Sequence, residues 1–89
     1  MTCETKTYDL RSGGLRGTLR CSVNEADGRY HMLALIEACG RRVAYANRWF
    51  RSKEDAEAHA QRVARTALAH QEYLVDALVR GPEKTAKAS

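Results

Sequence analysis

Between Leu15 and Val23 the chain alternates strictly. Leu15, Gly17, Leu19, Cys21 and Val23 fall on one side, and Arg16, Thr18, Arg20 and Ser22 on the other. A period of two predicts a strand with one apolar and one wet face. Arg29 to Cys39 is apolar on both sides: His31, Leu33 and Leu35 are set against Tyr30, Met32, Ala34 and Ile36, which predicts a central strand whose second face needs a cover. Val43 to Phe50 predicts a last strand, with Val43, Tyr45, Asn47 and Trp49 opposite Ala44, Ala46, Arg48 and Phe50. Thr5 to Arg11 alternates weakly through Tyr8 and Leu10 and reads as an edge strand. Ser12-Gly13-Gly14, the stretch from Asn24 to Gly28, and Gly40-Arg41-Arg42 supply turn chemistry. With connections this short, a β-meander is the natural pairing.

The period changes at Trp49-Phe50-Arg51-Ser52-Lys53-Glu54-Asp55-Ala56. Beyond it, apolar residues recur at three and four, and no Gly or Pro intervenes before Gly81-Pro82. Ser52 followed by Asp55 resembles a capping box, and Glu54 and Asp55 suit the positive end of a helix. One helix is therefore expected over about 53–80. At 1.5 Å per residue it would run roughly 42 Å, whereas a strand of eight or nine residues spans roughly 27–30 Å. It must overhang the sheet or bend near His70-Gln71. Its first half is alanine-rich on the inward stripe (Ala56, Ala60, Ala64, Ala67), and its second half widens to Leu74, Val75, Leu78 and Val79. That wider end calls for a partner, either a second copy of the chain or the N-terminal hairpin. Gly81-Pro82 ends the helix, and 82–89 is expected to be a disordered tail.

Eighty-nine residues make one domain, over 1–81, with a thin core. Hydrophobic residues at 44% and charged residues at 29% are ordinary for a globular protein and argue against wholesale disorder. No window approaches the roughly 18 consecutive apolar residues of a membrane span, and the N-terminus lacks a signal-peptide core, so the expected location is the cytoplasm and no membrane partner is expected. Cys3, Cys21 and Cys39 are an odd number without C-x-x-C spacing, which speaks against a disulfide framework or a zinc knuckle. Cys21 and Cys39 lie inside apolar strand patterns and read as buried, inert thiols.

Charge sharpens the picture. Residues 1–50 carry eight Lys or Arg against five Asp or Glu, residues 51–81 carry five of each, and the net charge of +4 thus lies mostly on the sheet. Eleven of the fifteen cations are Arg, the side chain that pairs bidentately with carboxylate or phosphate.

No catalytic signature is present. His59 and His70 return to nearly the same helix face but about 16 Å apart along the axis, too far for one metal ion. There is no H-E-x-x-H, Walker loop or G-x-S-x-G. Ser12-Gly13-Gly14 leads into a strand, where a phosphate loop needs a helix N-terminus. The expectation is a non-enzyme with no catalytic residues, no metal and no cofactor.

Three binding readings remain. With a single helix, the domain covers one face of its sheet. Tyr30, Met32, Ala34 and Ile36, with flanking Arg, are expected on the other, which makes it a protein-docking surface. Its contacts would be Arg16, Arg20, Tyr30 and Met32, with Arg48 as flanking charge and Trp49 as anchor. The same Arg-rich face, interleaved with Tyr30, Tyr45 and Trp49, also suits a single-stranded nucleic acid. An RNA-recognition motif would carry an RNP1-like segment, and a double-stranded-RNA domain a helix before the sheet; neither is present. The third reading is a structural homodimer held by Leu74, Val75, Leu78 and Val79.

In format, the strand-turn-strand segment 29–50 leading into the Ser52-capped helix resembles small proteins of bacteriophages and mobile elements, anti-CRISPR proteins among them. The resemblance implies an inhibitor that occupies a surface of a host nuclease complex. Inhibitors that compete for a nucleic-acid site are often acidic, whereas this chain is basic, which counts against DNA mimicry. The expected architecture is α+β: a four-stranded antiparallel β-meander packed on one long C-terminal α-helix. The expected function is protein binding, with nucleic-acid binding and homodimerisation as the alternatives.

Overall fold

A computed structural model describes residues 3–80, with side chains from Thr5 onward. The expected disordered tail, 82–89, lies outside the described residues. Four strands, β1 (Cys3–Ser12), β2 (Leu15–Ala26), β3 (Arg29–Ala38) and β4 (Arg41–Phe50), form one antiparallel sheet in the order β1-β2-β3-β4. Two helices follow, α1 (Lys53–Ala69) and α2 (Gln71–Arg80). The meander is as expected; the single long helix is not, since it divides at His70, where a bend was one of the two expected outcomes.

Each hairpin closes on two residues. Asp27-Gly28 and Cys39-Gly40 both have positive φ at each position, the pattern of a type I′ turn, whose twist matches that of the flanking strands. The sequence expectation set Cys39 inside a strand as a buried thiol. It is instead exposed at the first turn position, with φ 51°. The Gly after it supplies the second positive φ, and this moves Arg41 and Arg42 into β4.

Register decides which side the helices cover. A turn at Asp27-Gly28 pairs Ala26 with Arg29 and, counting outward, Val23 with Met32, Cys21 with Ala34 and Leu19 with Ile36. The apolar side of β2 therefore joins the Tyr30–Ile36 side of β3, and this shared side is the one the helices bury. Leu10, Leu19, Met32, Ile36 and Val75 are its largest fully buried side chains, with Ala56, Ala64 and Ala67 of α1 closing on them. The expectation that Tyr30, Met32, Ala34 and Ile36 project onto the uncovered face is thus corrected: Met32 is 0% exposed. In β4 an irregularity at Ala34/Leu35 leaves Tyr45 without a partner, so Val43 sits beside Ile36 on the helix side, out of the simple alternation.

Helix α1 starts as the sequence indicates. Ser52 holds an extended backbone (φ −126°, ψ 150°), and the Asp55 N–H donates to Ser52 Oγ at 3.1 Å. The helix breaks at His70 (φ −116°, ψ 25°), without Gly or Pro. Tertiary contacts account for the break. Gln71 Oε1 accepts from the Arg11 N–H at 2.8 Å, tying the start of α2 to the end of β1, and α2 then touches all four strands. A straight helix would carry the Leu74–Val79 stripe past the sheet; the turn at His70 buries Val75 completely and packs Leu74, Leu78 and Val79 against the core. Of the residues expected at a dimer interface, Val75 is thus buried within the chain, while Leu74, Leu78 and Val79 pack on the core and stay half-buried.

Candidate functional site: the uncovered sheet face

The side of the sheet opposite the helices is assembled by the ladder pairs in rows across it. Nearest the β1–β2 turn, Arg11 stands directly opposite Arg16. The next row is Asp9, Thr18, Glu37 and Arg42, followed by Thr7, Arg20, Leu35 and Ala44, then Thr5, Ser22, Leu33 and Asn47, and lastly Asn24, His31 and Trp49. Alternation along each strand brings these side chains to one side because their neighbours are the buried core.

At the centre, Leu33 and Leu35 are half-buried on β3, and among the described residues no helix lies above them. Arg20 and Arg42 flank them, and Thr18, Arg20, Leu35, Glu37 and Arg42 line a shallow depression. At the far end, His31 donates from Nε2 to Asn47 Oδ1 and stacks on Trp49, with ring centroids 4.6 Å apart. The Arg29 guanidinium lies 5.4 Å from the centre of the same indole. Trp49, the single tryptophan, is 50% exposed. Five guanidinium groups on this face (Arg11, Arg16, Arg20, Arg29, Arg42) meet two carboxylates, Asp9 and Glu37.

Of the residues expected to bind a partner, Arg16, Arg20 and Trp49 share this face. Tyr30, Met32 and Arg48 lie on the helix side: Tyr30 packs on the core, Met32 is buried, and the Arg48 guanidinium sits 5.4 Å from the Phe50 ring centre. Sequence reasoning missed Leu33, Leu35, His31 and Asn47 as the apolar and polar centre. The signal was present in the Asp27-Gly28 turn, which fixes the register and so assigns the face.

Both sheet edges carry a charge that points to the helix side, Lys6 on β1 and Arg48 on β4. A new strand added at either edge would have to desolvate it, a recognised guard against edge pairing. The face, rather than an edge, is the open surface.

Chemistry elsewhere is subdued. Among the described residues, no group of three His, Cys, Asp or Glu could hold a metal ion. Burial pushes the Cys21 thiol above its ordinary value, away from the reactive thiolate. Burial, reinforced by Arg48 and Arg62, lowers His59, whose ring lies against Phe50 with centroids 5.3 Å apart. A groove beneath α1, lined by Lys6, Tyr8, Cys21, Val23, Glu57, Ala60 and Gln61, has a volume of about 80 Å³. That is small beside the roughly 300–1,000 Å³ of ligand pockets. Among the described residues, no helix is long and apolar enough to cross a membrane.

Comparison with protein-family models, with characterised proteins and with solved structures finds no match to this chain.

Proposed function

We propose that this protein is a non-enzymatic binding module that docks a protein partner on its uncovered sheet face. The observation that carries the reading is Leu33 and Leu35 on a face without a cover, flanked by Arg20 and Arg42 and closed at one end by the His31–Trp49 stack. An apolar centre ringed by Arg and an aromatic has the anatomy of an interface core and rim. Completing the burial of two half-buried leucines is worth on the order of 1–2 kcal/mol each. Trp49 and the guanidinium groups add orientation. A module of this size that only covers a surface acts by occupying it, which is the inhibitory mode that the likeness in format to small phage and mobile-element proteins implies.

Nucleic-acid binding through the same face is the second reading, and the excess of five guanidinium groups over two carboxylates favours it. The apolar centre weighs against it. Leu33 and Leu35 are aliphatic where single-strand binders place stacking platforms, and the Trp49 ring is already engaged by His31 and Arg29.

Site-specific photo-crosslinking tests the first reading. A benzophenone side chain in place of Leu35 is expected to capture a protein adduct in cells, and one in place of Tyr73 on α2 is not. Adducts from position 73 alone would move the site to the helices.

A further inference from the structure

We infer that the partner presents an acidic protein segment to this face, with carboxylates pairing to Arg11, Arg16, Arg20 and Arg42 and an apolar side chain seated on Leu33 and Leu35. The inference rests on the reading of the face as a protein-docking surface and names the chemistry of what docks there.

Arg11 and Arg16 are direct cross-strand partners on the open side, beside the Ser12–Leu15 turn. Like charges placed opposite one another weaken a strand pair. Each carboxylate within reach would relieve that repulsion, and a guanidinium presents a planar fork that matches a carboxylate with two parallel hydrogen bonds. Arg20 and Arg42 extend the cationic field around Leu35, while Asp9 and Glu37 supply the anions of the face. Along the helical half of the chain the charges balance in number, five Lys or Arg against five Asp or Glu over 51–81, with Lys53 and Glu57, and Arg80 and Asp76, paired one helical turn apart. Among the described residues, the open face thus holds five guanidinium groups against two carboxylates.

Charge complementarity selects the occupant. A second copy of this chain, docked face to face, would set five guanidinium groups against five. A sugar-phosphate backbone could neutralise the arginines but would lay polar groups over Leu33 and Leu35. An acidic segment with an apolar side chain satisfies both features.

Selection of a random-peptide display library against the intact protein tests this directly. Enriched peptides are expected to carry Asp or Glu around a Leu, Ile or Phe. They are expected to lose about tenfold or more in affinity to Arg20→Glu, a substitution at an exposed position whose folding a melting curve verifies, and to weaken with salt. The milder Leu33→Ala is expected to weaken them as well. Neutral or basic winners that still depend on Leu33 would overturn the acidic partner and leave the docking face standing. Winners indifferent to both positions, or no winners, would overturn the docking face too. Displacement of every winner by micromolar oligothymidylate, itself dependent on Arg20, would hand the face to nucleic acid.

Discussion

Gly17 and Val75 meet where α2 crosses β2, so closely that a side chain at Gly17 would have to push its neighbours back. A β-carbon on Gly17 would lie 3.2 Å from Val75 Cγ2, 3.1 Å from the Glu37 carbonyl oxygen and 3.3 Å from Ala38 Cβ. The backbone oxygen cannot swing aside as a side chain can. Gly17 thus lets α2 lie down on the sheet, and the bend at His70 is what brings Val75 there. Gly17→Val is expected to cost about 1–3 kcal/mol by overpacking. Combined with Val75→Ala, the two losses should be less than additive by about 0.5 kcal/mol or more, since the smaller side chain makes space for the larger. Chemical denaturation of the four proteins measures this, and strict additivity would show that the contact does not govern the docking of α2.

The positive φ of Cys39 leads to a second prediction. A non-glycine residue in the left-handed region costs roughly 1–2 kcal/mol, and Asn bears it better than most. Cys39→Asn is expected to raise stability by about 0.5–1 kcal/mol and Cys39→Val to lower it. Thermal melts of the two variants against the parent read the order, and a more stable Val variant would contradict the turn geometry.

His59 makes stability depend on pH. Burial first, then Arg48 and Arg62, holds its folded value below the ordinary 6.5. The unfolded chain consequently binds the proton more readily than the folded one. The stabilisation is complete above 6.5 and drains as pH falls through the folded value, so stability rises with pH across that window. His59→Gln should flatten this part of the profile. Arg48→Gln should flatten it only partly, because burial is the larger cause. Denaturation midpoints taken at intervals from mildly acidic to neutral pH provide the check.

The inward charges at the sheet edges make a fourth prediction. Arg48→Val removes the guard on β4, a strand that is largely exposed and carries Val43 at 47%. The variant is expected to self-associate at concentrations where the parent does not, as read by light scattering. Equal scattering would mean that the irregularity at Tyr45 protects that edge by itself.

Much of the fold was legible because short-range chemistry determines it. The alternation of Leu15–Val23 and the Ser52–Asp55 cap announce β2 and the start of α1 without reference to the rest of the molecule. The assignment of faces was harder. Arg29–Cys39 is apolar on both sides, so its own pattern does not say which side meets the helices; only the register passed across Asp27-Gly28 joins Met32 to Val23. The mismatch of helix and strand lengths left an overhang or a bend near His70-Gln71 as the two outcomes, and with no Gly or Pro there to select the bend, the choice rests on contacts sixty residues distant in sequence, between Gln71 and Arg11. For the candidate site the consequence was uneven. Arg16, Arg20 and Trp49 fell on the open face, whereas Tyr30, Met32 and Arg48 followed the register to the other side. Leu33 and Leu35 took their place.

Trp49 offers the most direct measurement, since it is the only tryptophan and stands on the face at issue. Its emission, and its quenching by acrylamide, should be recorded while a display-selected peptide is titrated in. Docking on the face predicts a shift to shorter wavelength and protection from the quencher, both lost in Arg20→Glu. Unaltered emission and quenching at saturating peptide would contradict the account.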